Sequence, residues 1–275
     1  MKFSNDAGSC VARLRGDVGM IGSFEAANDP EAVARMLHEA ARWLREQGAT
    51  QVIGPMDGDT WHRYRVNAGP FDTPPFLLEP TNPPYYDALW RHAGFEVIES
   101  YTSKRIDDVT YLAEMIGPMY ERACRRGYNF RSIDLWRLDE ELELVWRLSL
   151  EIFRDNAWYS DISLDEFLKL YESIEPLLMR QLVLFAEHRG EPVGFLFAYP
   201  DEDPETVNYK TVGVVPKHRN GYLAWAMLYR AYWYAVLDER RVANHCLMHE
   251  WNASQRMDIA QGETFRNYYL YALPT

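Results

Sequence analysis

The stretch from Asn208 to Glu250 limits the possible folds more than any other part of the chain. A β-rich run, Asn208–Val215, stops at Pro216 and gives way to a polar loop, Pro216–Gly221. A long apolar helix follows from about Tyr222 to Leu237, and then a strand over Ala243–Glu250. Strand, loop, helix and strand in direct succession require an α/β arrangement, because each element must bury one face against the next. The surrounding sequence continues the alternation. It predicts a strand at Asn129–Trp136, helices within Asp139–Phe153 and Leu164–Glu175, and strands at Gln181–His188 and Val193–Tyr199 joined by the turn signal Arg189-Gly190-Glu191-Pro192. After the acidic loop Asp201–Glu205 and the segment above come a short helix, Ala253–Ala260, and a strand, Phe265–Ala272.

The first hundred residues repeat part of this order. Ser9–Arg15 and Val18–Ala27 read as a hairpin, Asn28 or Asp29 caps a helix that opens on Pro30, and Val33, Met36, Leu37, Ala40, Ala41 and Leu44 keep helical spacing up to Gly48. A buried strand at Gln51–Gly54, a strand at Phe76–Leu78, a helix at Tyr85–His92 ended by Gly94, and a strand at Phe95–Ser103 complete this half. Asp107 to Arg126 is a helical connector, with acids at its start and Arg122, Arg125 and Arg126 at its end, matching the helix dipole. The expected division is residues 1–106, a connector 107–127, and a second domain 128–275.

Composition narrows the chemistry. The chain has 275 residues, 47% of them hydrophobic, enough for one large or two modest cores. Its apolar runs end well short of a membrane span and Met1–Cys10 has no apolar leader core, so no membrane association and a cytoplasmic location are expected. A formal charge of -12 disfavours nucleic acid as a partner. Cys10, Cys124 and Cys246 have neither disulfide nor zinc spacing. No HExxH, Walker loop or Ser/His/Asp arrangement is present, so no metal is expected.

Val214-Val215-Pro216-Lys217-His218-Arg219-Asn220-Gly221, followed by a helix, resembles the acetyl-CoA-binding segment of the GNAT acyltransferases. The physical basis is that main-chain N–H groups at a helix start and in a glycine turn bind pyrophosphate. The resemblance implies cofactor contacts from Val214, Val215, Arg219, Asn220, Gly221, Tyr222, Leu223 and Ala224, with Tyr222 standing where the family has its first glycine. Met248-His249-Glu250-Trp251-Asn252 resembles the family's fifth strand, which makes Asn252 a pantetheine contact; the usual thiolate-protonating Tyr is replaced by Asp258. In the N-terminal half, Asn82, Tyr85, Tyr86, Gly94 and Phe95 resemble the family's fourth-helix ending, with Trp90 at the Tyr position, while Phe24–Pro30 lacks the phosphate-binding glycines. The resemblance thus implies a mixed α/β sheet fold in two tandem GNAT-like domains, the N-terminal one truncated and degenerate.

Acyl transfer to an amine needs a base, oxyanion donors and a proton for the departing thiolate. His249 and Glu250 are the candidate catalytic residues, with main-chain groups near Val214 and Val215 as oxyanion donors. Trp61, His62, Tyr64 and Tyr209 are the candidate substrate-pocket residues, although for Tyr209 core packing is the favoured reading. The implied donor substrate is acetyl-CoA or another acyl-CoA, and the acceptor a small-molecule amine. Two alternatives stand beside this reading: a donor carried by an acyl carrier protein, and a non-catalytic binding or scaffold protein.

Overall fold

The computed structural model describes residues 1–172, 174–219, 221–251 and 262–274. Contacts between Cα atoms divide the chain into two compact units. One comprises Met1–Ser103, Leu247–Ala260 and Thr264–Thr275, the other Lys104–Cys246 and Gln261–Glu263. The last strand therefore belongs with the first unit, whereas the sequence had grouped it with residues 128–275. Its pairing partners explain the assignment.

In the first unit β1 (Lys2–Asn5), β2 (Gly8–Arg15) and β3 (Val18–Ala26) form an antiparallel meander. Asp29 caps α1 (Pro30–Glu46), its side chain accepting from the Ala32 N–H at 3.0 Å. The face of α1 carrying Val33, Met36, Leu37, Ala40, Ala41 and Leu44 is buried, as its spacing requires. β4 (Gln51–Gly54) then pairs parallel to β3. Next come β5 (Val66–Gly69), α2 (Tyr86–His92) and β6 (Glu96–Ile106). The final strand, β12 (Glu263–Leu273), pairs antiparallel with both β4 and β5. Trp90 of α2 is fully buried and stacks on Tyr271 at 5.8 Å. It fits because position 54 is glycine, where a Cβ would stand 2.4 Å from its ring. Trp90 is thus a core residue, which accounts for an indole at that position.

The strand expected at Phe76–Leu78 is a turn, and the strand lies instead at Val66–Gly69. Pro70, Pro74, Pro75 and Pro80 deprive the segment of ladder donors. A buried ion pair fixes it: Arg266, 1% exposed, meets Glu79, 0% exposed, at 2.8 Å, and also donates to the carbonyls of Pro70, Thr73 and Pro74. Tyr268 donates to the same carboxylate at 2.5 Å and Asn67 at 3.2 Å, so the buried charges are surrounded by partners.

The second unit opens with α3 (Val109–Arg125), capped by Asp108, and β7 (Tyr128–Ser132). The chain leaves β7 earlier than expected, in a 3-10 turn at Leu135–Arg137. α4 (Leu138–Ile152) and α5 (Leu164–Tyr171) follow, then β8 (Val183–His188), β9 (Glu191–Pro200) and β10 (Thr206–Val214), all antiparallel. α6 (Leu223–Leu237) leads to β11 (Val242–His249), which pairs parallel to β10. The helix expected at Ala253–Ala260 lies outside the described residues.

Candidate active site

β10 and β11 are paired at four positions only, from Thr206 with Val242 to Tyr209 with His245. β10 continues beside β9 to Val214, but with a register shift between Tyr209 and Thr211. Such a bulge bends the strand carrying it, and here it coincides with the point where β11 is no longer paired. The result is an open edge on β10 over its last residues. Val215 donates its N–H to Val193 at 2.9 Å, so it is not the oxyanion donor the sequence suggested. That bond makes Val214 and Gly194 a non-hydrogen-bonded pair, so the Val214 N–H points away from β9, onto the open edge.

Beyond Val214 the chain makes a 3-10 turn, Pro216–His218, and reaches α6 through Gly221 at φ +77°. Only a residue without Cβ adopts that backbone at little cost. The N-cap residue of α6 makes no side-chain cap and its first turn holds no acid, so among the described residues no first-turn carboxylate offsets the positive end of the helix dipole. Leu223 and Ala224 belong to that first turn; Asn220 and Asn252 lie outside the described residues. Tyr222 does not overhang the loop. Its side chain is turned into the unit, 7% exposed, edge-on to Tyr128, with the Arg122 guanidinium 4.8 Å from its ring. Arg219 is exposed but turns its guanidinium onto the main chain, donating from Nε to the Val214 carbonyl at 3.1 Å and from Nη2 to the Ile152 carbonyl at 2.6 Å. It ties the turn to the end of α4.

At the base of the parting Tyr209 stacks on His245 at 5.2 Å, and the Tyr232 hydroxyl lies 2.9 Å from His245 Nε2. Burial pushes the His245 pKa down to about 3, so the imidazole is neutral. Tyr209 is buried and its hydroxyl pKa is raised by desolvation, so it is a packing residue at the seam rather than part of an open pocket.

His249, the last residue of β11, meets Glu99 of β6 within the first unit, with His249 Nε2 2.5 Å from Glu99 Oε2. The Trp251 N–H approaches Nδ1 at 3.4 Å, which is the pattern of an Nε2–H tautomer whose Nδ1 is the basic nitrogen. Glu250 is exposed beside them, and these three residues place ligand atoms within 4.8 Å of one another, close enough to share a cation. Tyr101 lies against His249 at 4.8 Å and against Tyr64 at 5.8 Å. Of the expected pocket residues, Tyr64 therefore joins His249 and Glu250, while Tyr209 sits in the other unit's core. His62 Nδ1 and the Trp61 N–H both engage the Asp59 carboxylate, at 2.8 and 2.9 Å, in a loop rather than a helix. Sequence reasoning missed Glu99, Tyr101 and His245. Each becomes notable only through a partner distant in the chain.

No family model matches the chain. It is 27% identical to a protein named bacterial ceramide synthase from Caulobacter vibrioides over 199 residues, 72% of this chain and 51% of that one. Protein YghO of Escherichia coli is 24% identical over 67% of this chain and 47% of its own. The chain thus spans about half the length of these relatives. Among solved structures, a GCN5-related N-acetyltransferase from Sphaerobacter thermophilus superimposes with a TM-score of 0.55 and 12% identity, covering 97% of this chain and 76% of that one. The fold is therefore that of the GCN5-related N-acetyltransferases, as the mixed α/β reading expected.

Proposed function

We propose that this chain is an N-acyltransferase that moves an acetyl or longer acyl group from acyl-CoA to the amine of a small molecule. The observation carrying the proposal is the open β10 edge ending on the uncapped start of α6. The Val214 N–H on that edge suits an amide of the pantetheine arm or the thioester oxygen, and the main-chain amides from Gly221 to Ala224 suit the pyrophosphate. The neutral amine attacks the thioester carbon, the thiolate leaves as the tetrahedral intermediate collapses, and His249 is the candidate base for the amine proton. Glu99 orients the imidazole and stabilises it once charged. A ceramide is the amide formed when the amine of a long-chain amino alcohol is acylated, so the name of the Caulobacter relative supports amine acylation.

A single assay tests both the donor and the base. Release of CoA thiol from acetyl-CoA with a panel of amines is expected to fall about 100-fold or more in kcat for His249→Gln, the scale of a lost general base, with the KM for acetyl-CoA little changed. Equal turnover by the variant would remove His249 from the mechanism. Absence of thiol release with every donor and amine would favour the scaffold reading. The engagement of Arg219 with the main chain, which leaves fewer cationic contacts for a pyrophosphate, favours the second reading, a donor on an acyl carrier protein. Under that reading phosphopantetheine binds as tightly as CoA.

A further inference from the structure

The first unit contains a second parting of parallel strands, and it encloses a cleft. β3 and β4 pair at Val18 with Gln51, Gly19 with Val52 and Met20 with Ile53, after which β4 ends at Gly54 while β3 runs on to Ala26. Between them opens a small cleft lined by Ser23 and Phe24 of β3, Pro55, Asp57, Arg63, Arg65, Val66, Asn82 and Tyr86.

The charges around the cleft do not cancel. Asp57 accepts from Arg13 at 3.0 Å and from Ser23 at 2.8 Å, and Arg63 pairs with Glu25 at 2.7 Å. Among the described residues Arg65 has no carboxylate partner. Its guanidinium lies between two aromatic rings, 4.2 Å from the centre of Tyr64 and 4.3 Å from that of Tyr101, and its Nε and Nη1 are buried without a hydrogen-bond partner among the described residues. Two ring faces compensate part of the cost of such a cation, but they accept few of its N–H bonds, and unsatisfied charged donors are expensive. The backbone is also held in an unusual state. Arg65 has φ +65°, uncommon for a residue with a Cβ, fixed by its N–H donating to the Pro55 carbonyl at 3.0 Å and by the Met56–Tyr64 bridge beside it. The loop thus places a stacked, unneutralised guanidinium at the wall of a cleft.

We propose that this cleft is a binding site for the oxyanion of a small ligand, a carboxylate or a phosphate monoester, received by Arg65. The site is separate from the proposed donor site on α6 and does not depend on it. Arginine suits either group because its charge is permanent and its nitrogens only donate. The net charge of -12 disfavours general anion attraction, so an anion effect would report a local site.

The test is a thermal-unfolding titration of the full chain carrying Ala224→Glu, which removes the α6 N-terminus as a competing anion site. Inorganic phosphate and propionate are added separately, against chloride at equal ionic strength. A saturable rise in Tm with either one is expected; phosphate alone would define a phosphate site and propionate alone a carboxylate site. Arg65→Met should weaken the apparent affinity at least tenfold, and Arg65→Lys should restore part of it. Should Arg65→Met fail to fold, arginine Nε–H resonances of the wild-type chain give the same answer, one resonance shifting with the anion. No rise beyond chloride, an unaltered response in Arg65→Met, or no shifting resonance would overturn the proposal.

Discussion

Each unit contains two parallel strands that part after a few pairs, yet the two partings are finished differently. In the first unit the last pair is Met20 with Ile53, both fully buried and apolar, and the following helix starts on its own carboxylates, Asp29 at the cap and Glu31 in the first turn. In the second unit the last pair is Tyr209 with His245, and the following helix starts at Gly221-Tyr222 with neither cap nor acid. A helix start that carries its own carboxylates repels a phosphate; one without them attracts it. The same strand–helix–strand order therefore ends on two helix starts of different chemistry, one carrying its own acids and one without them.

The largest expected effect concerns Tyr222. If its ring is a packing element, as its burial against Tyr128 indicates, Tyr222→Gly costs about 3–5 kcal/mol in a urea titration, the scale of a deleted buried aromatic, and CoA affinity does not rise. Tighter CoA binding by the variant would mean that the ring obstructs the loop and would erase that part of the contrast.

Next is the seam itself. His245 has its pKa lowered to about 3, against 6.5 in the unfolded chain, so between these values the unfolded state binds the extra proton. This contribution to stability is complete above about pH 6.5 and is lost as the pH falls toward 3, amounting to about 2 kcal/mol at pH 5. His245→Leu should flatten that part of the pH–stability curve, and an unchanged slope would show that the imidazole is not buried neutral. The apolar Met20–Ile53 seam predicts no such slope from the first unit's counterpart.

The smallest effect is at the first helix. Asp29→Ala removes the cap of α1 and should lower stability by about 0.5–2 kcal/mol without creating CoA binding. Acquired CoA binding would show that the cap alone separates the two helix starts.

Much of this contrast was visible in the sequence. The Asp29-Pro30 start of α1, the Gly48 stop and the turn at Arg189-Gly190, whose φ values are +55° and +84°, are local signals, and local physics fixed them. The loop from Pro216 to Gly221 was equally legible as an element boundary. Its side chains were not: the course of Arg219 and Tyr222 depends on Ile152, Tyr128 and Arg122, which no spacing connects to them. β12 shows the same limit on a larger scale, because its hydrophobic pattern predicts a strand and says nothing about pairing with β4, more than 200 residues earlier. His249 could be singled out as a strand-end base, but its partner Glu99 lies 150 residues away and is ordinary in sequence.

The contrast is tested most directly by giving α6 the acid that α1 already has. Ala224→Glu places a carboxylate in the first turn of α6, where it should leave the helix as stable or slightly more so through the dipole. Calorimetry with CoA is predicted to show one site in the micromolar range on the wild-type chain, at least tenfold weaker in Ala224→Glu and unchanged in Asp29→Ala. CoA binding that is equal in wild type and Ala224→Glu would contradict the account, because the donor would then not lie at the start of α6.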